Sequence, residues 1–280
     1  MSRNQTNLID AVFAELKEKG ETALIPFMTM GDPDLGTSVE LIKAAEAAGA
    51  SMIELGVPYS DPLADGPVIQ RASERALKNR ISLLDCMKVA SEARRQGVKL
   101  PFILFTYFNP VLQMGLEKFF DLMREHDFSG AIIPDLPLEE DEEVRGLAEK
   151  TGVHLIPLVA PTSETRVERI AARARGFVYC VSSLGVTGVR SSFHSGLDQF
   201  LATVRKAASV PICVGFGVSS REQAESLADK CDGVIVGSAI VRKVEESLPL
   251  LQDGDADKRR QGVEEVKTFI SELKPRAVRS

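Results

Sequence analysis

The stretch Ser51–Pro67, SMIELGVPYSDPLADGP, joins an apolar run to a loop rich in proline and acidic residues. The run has the composition of a β-strand, yet it carries a carboxylate, Glu54, between Ile53 and Leu55. The loop is stiffened by prolines and a glycine, and it carries Asp65. This strand and its loop are one unit of a repeated pattern, and the repetition predicts the fold.

Seven further apolar runs of this kind alternate with longer segments whose apolar residues have helical spacing. The eight runs are Ala23–Met30, Ser51–Val57, Pro101–Tyr107, Gly130–Asp135, His154–Ala160, Phe177–Ser182, Pro211–Gly217 and Gly233–Ser238. Most are apolar at nearly every position, as expected of parallel strands that are covered on both faces. Eight βα repeats with short connections predict an α/β protein, a single (β/α)8 TIM barrel with an extra N-terminal helix over about residues 1–20.

No linker, charge block or shift in composition divides the 280 residues, so we expect one domain over residues 1–280. A helical pattern resumes at Gly262–Leu273, within a C-terminal segment of about residues 253–280 whose end is expected to fray. An open doubly wound sheet is the alternative, because alternation of strands and helices does not by itself show closure. Against it, GDPDLG (Gly31–Gly36) follows the first strand in place of a GxGxxG turn.

Composition and charge argue against several classes of protein. The chain is 44% hydrophobic and 26% charged, with a net charge of -6 and no basic stripe, which argues against a nucleic-acid partner. No apolar run reaches membrane-spanning length, and the acid-bearing N-terminus is unlike a targeting peptide, so we expect a soluble cytoplasmic protein. Neither the histidines nor the cysteines have metal-ligand spacing, and no metal is expected. The cysteines, which we expect to be reduced and mostly buried, are Cys86, Cys180, Cys213 and Cys231.

Two acids and a tyrosine are the candidates for acid–base chemistry, because barrels build their active sites at the C-terminal ends of the strands. Glu54 would be partly desolvated there, which raises its pKa and lets it exchange protons near neutral pH. Asp65 could act at a second point of the same substrate. Alternatively, Glu54 is paired with a distant lysine or arginine, and Asp65 only shapes its turn. Tyr179 could hydrogen-bond Glu54 or the substrate, or simply pack in the core.

Glycines recur at the ends of the last two predicted strands, at Gly215, Gly217 and Gly237, and in the loop after the sixth, at Gly188; Ser238 follows Gly237. Glycine lets a backbone approach a ligand closely, and a helix N-terminus adds the positive end of its dipole. Together these residues predict a phosphate site where barrels commonly have one, although any one of the glycines could be an ordinary tight turn. The GxxxxGK[ST] motif is absent, so a nucleoside triphosphate is not expected.

A series of motifs, in order over roughly Phe13–Val241, resembles the tryptophan synthase alpha subunit family. The motifs are FMTMGDP (Phe27–Pro33), ELGVPYSDPLADGP (Glu54–Pro67), FTYFNP (Phe105–Pro110), IIPDLPLEE (Ile132–Glu140), SSLGVTG (Ser182–Gly188), GFGVSS (Gly215–Ser220) and GSAIV (Gly237–Val241). The resemblance implies a carbon–carbon lyase of tryptophan biosynthesis. Its reaction would be the retro-aldol cleavage of indole-3-glycerol phosphate to indole and D-glyceraldehyde 3-phosphate.

The resemblance also implies roles for individual residues. Glu54 falls on the family's essential acid and base, Asp65 on the acid that assists at the indole nitrogen, and Tyr179 on the tyrosine near the glutamate. The implied pocket residues are Phe27, Tyr107, Asp135 and Phe216, and the implied phosphate-binding residues are Gly188, Gly217, Gly237 and Ser238. The loops Pro58–Pro67 and Ser183–Phe193, the second of which contains Thr187, correspond to mobile segments that close over the substrate and touch the partner.

The resemblance implies no cofactor on this chain and an α2β2 tetramer with tryptophan synthase beta subunits. Those subunits would carry pyridoxal phosphate and condense the indole they receive with serine. Ser183 stands where some members have arginine, so we expect the strength of allosteric coupling to differ. The alternatives are a stand-alone indole-3-glycerol phosphate lyase, an enzyme of a neighbouring step, and a degenerate barrel that senses the phosphate ester and regulates a partner. The neighbouring steps are phosphoribosylanthranilate isomerisation and indole-glycerol-phosphate synthesis; the lack of lysine in the strand runs counts against the synthase.

Overall fold

The computed structural model describes residues 6–181, 196–215 and 217–276. Over these ranges all the strands belong to one sheet and every strand pair is parallel. The strands are β1 (Ala23–Thr29), β2 (Ile53–Gly56), β3 (Phe102–Phe105), β4 (Phe128–Ile132), β5 (His154–Leu155), β6 (Leu158–Val159), β7 (Val178–Val181), β8 (Ile212–Gly215) and β9 (Gly233–Val236).

The first helix precedes β1, and the others follow strands and cover the outside of the sheet. They are α1 (Leu8–Lys19), α2 (Leu35–Ala47), α3 (Pro67–Lys78), α4 (Leu83–Arg95), α5 (Phe108–Met114), α6 (Leu116–Glu125), α7 (Glu142–Thr151), α8 (Glu164–Ala172), α9 (Leu197–Ala207), α10 (Arg221–Ala228), α11 (Ser238–Leu251) and α12 (Ala256–Leu273). No helix in the described ranges is both long enough and apolar enough to cross a bilayer. The four cysteines are buried and free, as predicted.

The sheet closes on itself, which excludes the open doubly wound alternative. Its strand order is β5-β4-β3-β2-β1-β9-β8-β7-β6, and only Ile156 and Pro157 separate the two end strands along the chain. On one side, the N–H of Ile156 donates to the carbonyl of Ala131 at 2.9 Å; on the other, the N–H of Tyr179 donates to the carbonyl of Pro157 at 3.0 Å. One segment therefore pairs with both of its neighbours, and the predicted barrel is confirmed.

Proline shortens two of the predicted strands. The run Gly130–Asp135 was expected to end in a strand residue, but β4 ends at Ile132 and Asp135 lies in the loop beyond it. The run His154–Ala160 is divided into β5 and β6. Pro134 and Pro157 stand at these interruptions, and proline has no N–H to donate to a ladder. Asp135 consequently belongs to a loop of the barrel mouth.

Alternate strand residues divide between an outer and an inner apolar core. In β2, Ile53 and Leu55 pack outward against the helices, whereas Met52, just before the strand, belongs to the barrel interior. Because strand side chains alternate, Glu54 faces the same way as Met52. Ile9 and Phe13 of α1 join the interior core. Since α1 fills the N-terminal end of the barrel, Glu54 has access only to the C-terminal end.

The two terminal helices agree with the predicted pattern, with one difference in extent. The helix expected over about residues 1–20 is α1, and the side chain of Asn7 caps it by accepting from the N–H of Ile9. The last helix begins at Ala256, earlier than the predicted Gly262. Asp255 explains the early start, because its carboxylate accepts from the N–H of Asp257 at 2.8 Å and caps the helix there.

Candidate active site

A cavity of about 430 Å³ lies at the C-terminal end of the barrel. Strand ends from around the barrel and the loops that follow them form its walls, because the C-terminal ends of parallel strands meet at one rim. Among the residues predicted from the sequence, those that line it are Phe27, Glu54, Asp65, Asp135, Tyr179, Gly217, Gly237 and Ser238. Residues far apart in the chain therefore share one chamber.

Glu54 is fully buried at the bottom of this cavity. It is in register with Phe27 of β1 and with Ile103 of β3, and its relative exposure is 0%. Neither of its carboxyl oxygens has a hydrogen-bond partner among the described residues. Burial raises the pKa of Glu54 from 4.5 to about 8, so the group is mostly protonated at neutral pH. A buried carboxyl without a partner is costly, which favours a functional over a structural reading.

Asp65 lines the same cavity on the loop that precedes α3. The hydroxyl of Tyr107 donates to its Oδ2 at 3.1 Å and accepts from the N–H of Ala64 at 3.0 Å. Burial raises the pKa of Asp65 from 3.8 to about 6, while the bond from Tyr107 acts in the opposite direction. At neutral pH, Asp65 is therefore mostly ionised and Glu54 mostly protonated. Two carboxyls held in different states can do different work on one substrate.

Two strand glycines make room for the aromatic walls. A Cβ on Gly56 would lie 2.4 Å from the ring of Phe27, and one on Gly215 would lie 2.7 Å from the hydroxyl oxygen of Tyr179. Phe27 also meets Phe105 edge to face, with ring centroids 5.4 Å apart. Phe105 lines the cavity but was not among the predicted site residues. Its position two residues after the inward-facing Ile103 was the signal that could have identified it.

One wall of the cavity can bind an anion. Gly237 and Ser238 form this wall at the N-terminus of α11, and Gly217, with φ +72°, lies beside them. The first N–H groups of a helix have no partner within it, and the helix dipole is positive at that end. The arrangement suits a phosphate. Gly188, the fourth predicted member, lies outside the described residues.

Two further predicted residues have defined surroundings. Tyr179 lines the cavity, and burial of its hydroxyl raises its pKa well above the ordinary value, so it is a proton donor. The bond to Glu54 is not formed, and the ring of Tyr179 packs against the interior core. Asp135 accepts from the N–H of Phe108 at 2.9 Å and caps α5. The loop Ser183–Phe193 with Thr187, as well as Phe216, lies outside the described residues.

The fold and the site define a (β/α)8 enzyme with a pair of buried carboxyls and a helix N-terminus in one cavity. The sequence model of the family described as "Tryptophan synthase alpha chain" matches residues 13–278. The chain belongs to the tryptophan synthase alpha chain family. This family catalyses the lyase reaction of indole-3-glycerol phosphate in tryptophan biosynthesis, and the resemblance seen in the sequence motifs is confirmed.

Individual relatives agree with this assignment along almost the whole chain. The "Tryptophan synthase alpha chain" of Geobacillus sp. (strain WCH70) is 51% identical over 249 residues, which cover 89% of this chain and 94% of the relative. The tryptophan synthase subunit alpha from Legionella pneumophila str. Paris has a similar structure, with a TM-score of 0.86, 32% identity and coverage of 96% and 97%. A chain of the tryptophan synthase complex from Pyrococcus furiosus has a TM-score of 0.80 and 33% identity, with coverage of 90% and 98%.

Proposed function

We propose that this chain cleaves indole-3-glycerol phosphate to indole and D-glyceraldehyde 3-phosphate, with Glu54 as acid and base and Asp65 as the assisting carboxylate. The observation that carries the proposal is the contrast between the two carboxyls in one cavity. Glu54 has no partner and a pKa of about 8, whereas Asp65 is held by Tyr107 and has a pKa of about 6. One group is ready to give a proton while the other stabilises positive charge.

The reaction follows from these protonation states. Protonated Glu54 donates to C3 of the indole ring, which becomes an indolenine with positive charge at the ring nitrogen. Asp65, being ionised, accepts a hydrogen bond from the ring N–H and stabilises that charge. The carboxylate of Glu54 then takes the proton of the C3′ hydroxyl as the C3–C3′ bond breaks. The electrons of that bond restore the indole, the C3′ carbon becomes the aldehyde, and Glu54 is protonated again.

The rest of the site holds the two ends of the substrate. Phe27 and Phe105 provide apolar walls for the indole ring, and the hydroxyl of Tyr179 donates to the substrate. Tyr107 orients Asp65, with Asp135 and Phe216 bordering the ring. The phosphate-binding residues are Gly188, Gly217, Gly237 and Ser238, which act through backbone N–H groups and the dipole of α11.

The chain acts in this proposal as a single-domain alpha subunit with no cofactor of its own. A similar structure is described as the tryptophan synthase complex from Pyrococcus furiosus, which supports a partnership with beta subunits. The assembly would be an α2β2 heterotetramer in the cytoplasm, with pyridoxal phosphate on the beta subunits, where indole condenses with serine. Ser183 in the closing loop, where some members have arginine, is the position at which coupling between the subunits would differ.

Release of indole tests the proposal directly. The purified full-length chain is incubated with indole-3-glycerol phosphate, alone and with its cognate beta subunit in the absence of serine, and indole is measured. We expect release in both cases and a faster rate with the beta subunit. An unchanged rate on addition of the beta subunit would indicate a stand-alone lyase. No release under either condition would refute the proposed reaction and favour a barrel that only senses the ester.

A further inference from the structure

Four charged side chains outside the cavity join three segments that also form its walls. Arg75 of α3 forms a bidentate pair with Asp32, its Nε and Nη2 each donating to one carboxylate oxygen at 2.8 Å. The Nη1 of Arg75 donates to Glu245 of α11 at 2.7 Å. Arg71 binds Glu245 from the solvent side, with two hydrogen bonds of 2.8 Å and 2.7 Å. We call Asp32, Arg71, Arg75 and Glu245 the ionic clamp.

The ionic clamp is partly desolvated, unlike the many ion pairs on the surface. Asp32 has a relative exposure of 2%, and the side chain of Arg75 is 20% exposed. The hydrogen bonds from Arg71 and Arg75 lower the pKa of Glu245 to about 2. Because burying charges is costly, such pairs contribute little net stability. A bidentate arginine–carboxylate pair defines both distance and orientation.

The two helices joined by the ionic clamp begin beside different parts of the cavity, one near Asp65 and the other at the phosphate-binding wall. α3 starts at Pro67, two residues after Asp65, and α11 starts at Ser238 in the phosphate-binding wall. Arg75 and Glu245 lie at similar depths, about 12 Å and about 10 Å along their helices at about 1.5 Å per residue. The preceding strands, β2 and β9, flank β1 in the sheet, and Asp32 belongs to the loop after β1. The ionic clamp therefore connects three neighbouring βα units.

An apolar seam between the same helices lies closer to the cavity. Val68, Ile69 and Ala72 of α3 pack with Val241 of α11 and with Phe27, which lines the cavity. Apolar packing resists separation of the helices but allows them to slide, because it has little directional preference. The hydrogen bonds of Arg75 are directional, so they define the axial position of α3 relative to α11, which the apolar seam does not.

We propose that Arg75 is a positioning residue, which through the ionic clamp fixes Asp65 relative to the phosphate-binding end of α11. This inference rests on the proposed function and deepens it. One substrate must bind both the N-terminus of α11 and Asp65, so the separation of these two points limits how well its ring nitrogen can meet the carboxylate while the phosphate stays bound. A displacement of about 1 Å in such a site reduces the rate by up to about 100-fold.

The test uses a variant that removes one negative and one positive buried charge together, so that neither partner is left unpaired. Arg75→Met alone leaves the buried Asp32 unpaired and can prevent folding, so the decisive variant is the double substitution Asp32→Asn/Arg75→Met. We expect it to fold cooperatively and to lose about 10- to 100-fold in kcat. We also expect the acidic limb of its pH–rate profile to move below about 6, because a loosened loop exposes Asp65 to water.

Lys243→Met is the matched control, because Lys243 lies on the same helix but pairs with Glu265 of α12 at 3.1 Å. It should keep the kcat and the acidic limb of the parent chain. The proposal would be overturned by a folded double variant that keeps both the kcat and the acidic limb of the parent chain. It would also be overturned by a lower kcat with an unmoved acidic limb, because that result indicates a structural loss that does not act through Asp65. Failure of the proposed function is recognised separately, because the parent chain would then release no indole.

Discussion

Replacement of Glu54 by glutamine should greatly reduce turnover and at the same time make the folded protein more resistant to alkali. Glutamine has nearly the shape of glutamate but neither donates a proton to carbon nor ionises. Loss of a general acid and base costs about 10²- to 10⁴-fold in rate. Substrate binding should persist, because the aromatic walls and the N-terminus of α11 are unchanged.

The effect on stability follows from the burial of Glu54. Its pKa rises from 4.5 to about 8 on folding, which corresponds to about 5 kcal/mol between the protonated and ionised forms. Because the folded-state pKa is the higher one, the stabilising contribution is full below pH 4.5 and is lost as the pH rises through about 8. Between pH 6 and pH 9, the parent chain should lose about 3 kcal/mol of unfolding free energy relative to Glu54→Gln.

Urea unfolding of both chains at pH 6 and pH 9 measures this difference. Every other titrating group is common to the two chains, so its contribution cancels when one is subtracted from the other. The cost of burying the glutamine amide also cancels, because it does not depend on pH. The same pH dependence in both chains would refute a desolvated glutamate, and full indole release by Glu54→Gln would remove its catalytic role.

Four further outcomes can be measured with the same indole assay. Asp65→Asn should lose about 100-fold in kcat, because the charge opposite the ring nitrogen disappears; near-normal kinetics would exclude Asp65 from the mechanism. The parent chain should show a bell-shaped profile, falling below about pH 6 as Asp65 is protonated and above about pH 8 as Glu54 ionises. The hydrogen bond from Tyr107 lowers the pKa of Asp65, so Tyr107→Phe should raise that pKa and move the acidic limb to higher pH. An unmoved limb would contradict this. Gly215→Ala should reduce kcat about 10-fold by displacing the hydroxyl of Tyr179, which a new Cβ would approach to 2.7 Å; unchanged kinetics would show that Tyr179 tolerates the shift.

The pattern of the chain was enough to predict the barrel and the placement of its acids. Eight apolar runs with helical segments between them specify strands covered on both faces, because only such strands are apolar throughout. A carboxylate within one of these runs, at Glu54, stood out against that background. The motif around Asp65 was specific enough to indicate the family. These are properties of short segments, and they can be inferred from the residues of those segments alone.

Strand ends were predicted less well, because single prolines within the apolar runs end the pairing between strands. Pro134 and Pro157 have apolar surroundings that resemble strand, yet each lacks the N–H that a ladder requires. Closure of the barrel depended on the segment around Pro157 pairing with neighbours on both sides. The composition of this segment does not show with which strands it pairs.

Only the tertiary structure decided how the acids differ and what holds them. Whether Glu54 has a partner depends on every residue that the fold brings near it, and in the described part of the chain none bonds to its carboxyl. Asp65 depends on Tyr107, which is 42 positions away in the chain, and Arg75 meets Glu245 across 170 positions. Desolvation and ion pairing depend on distance in space, and chain folding determines that distance.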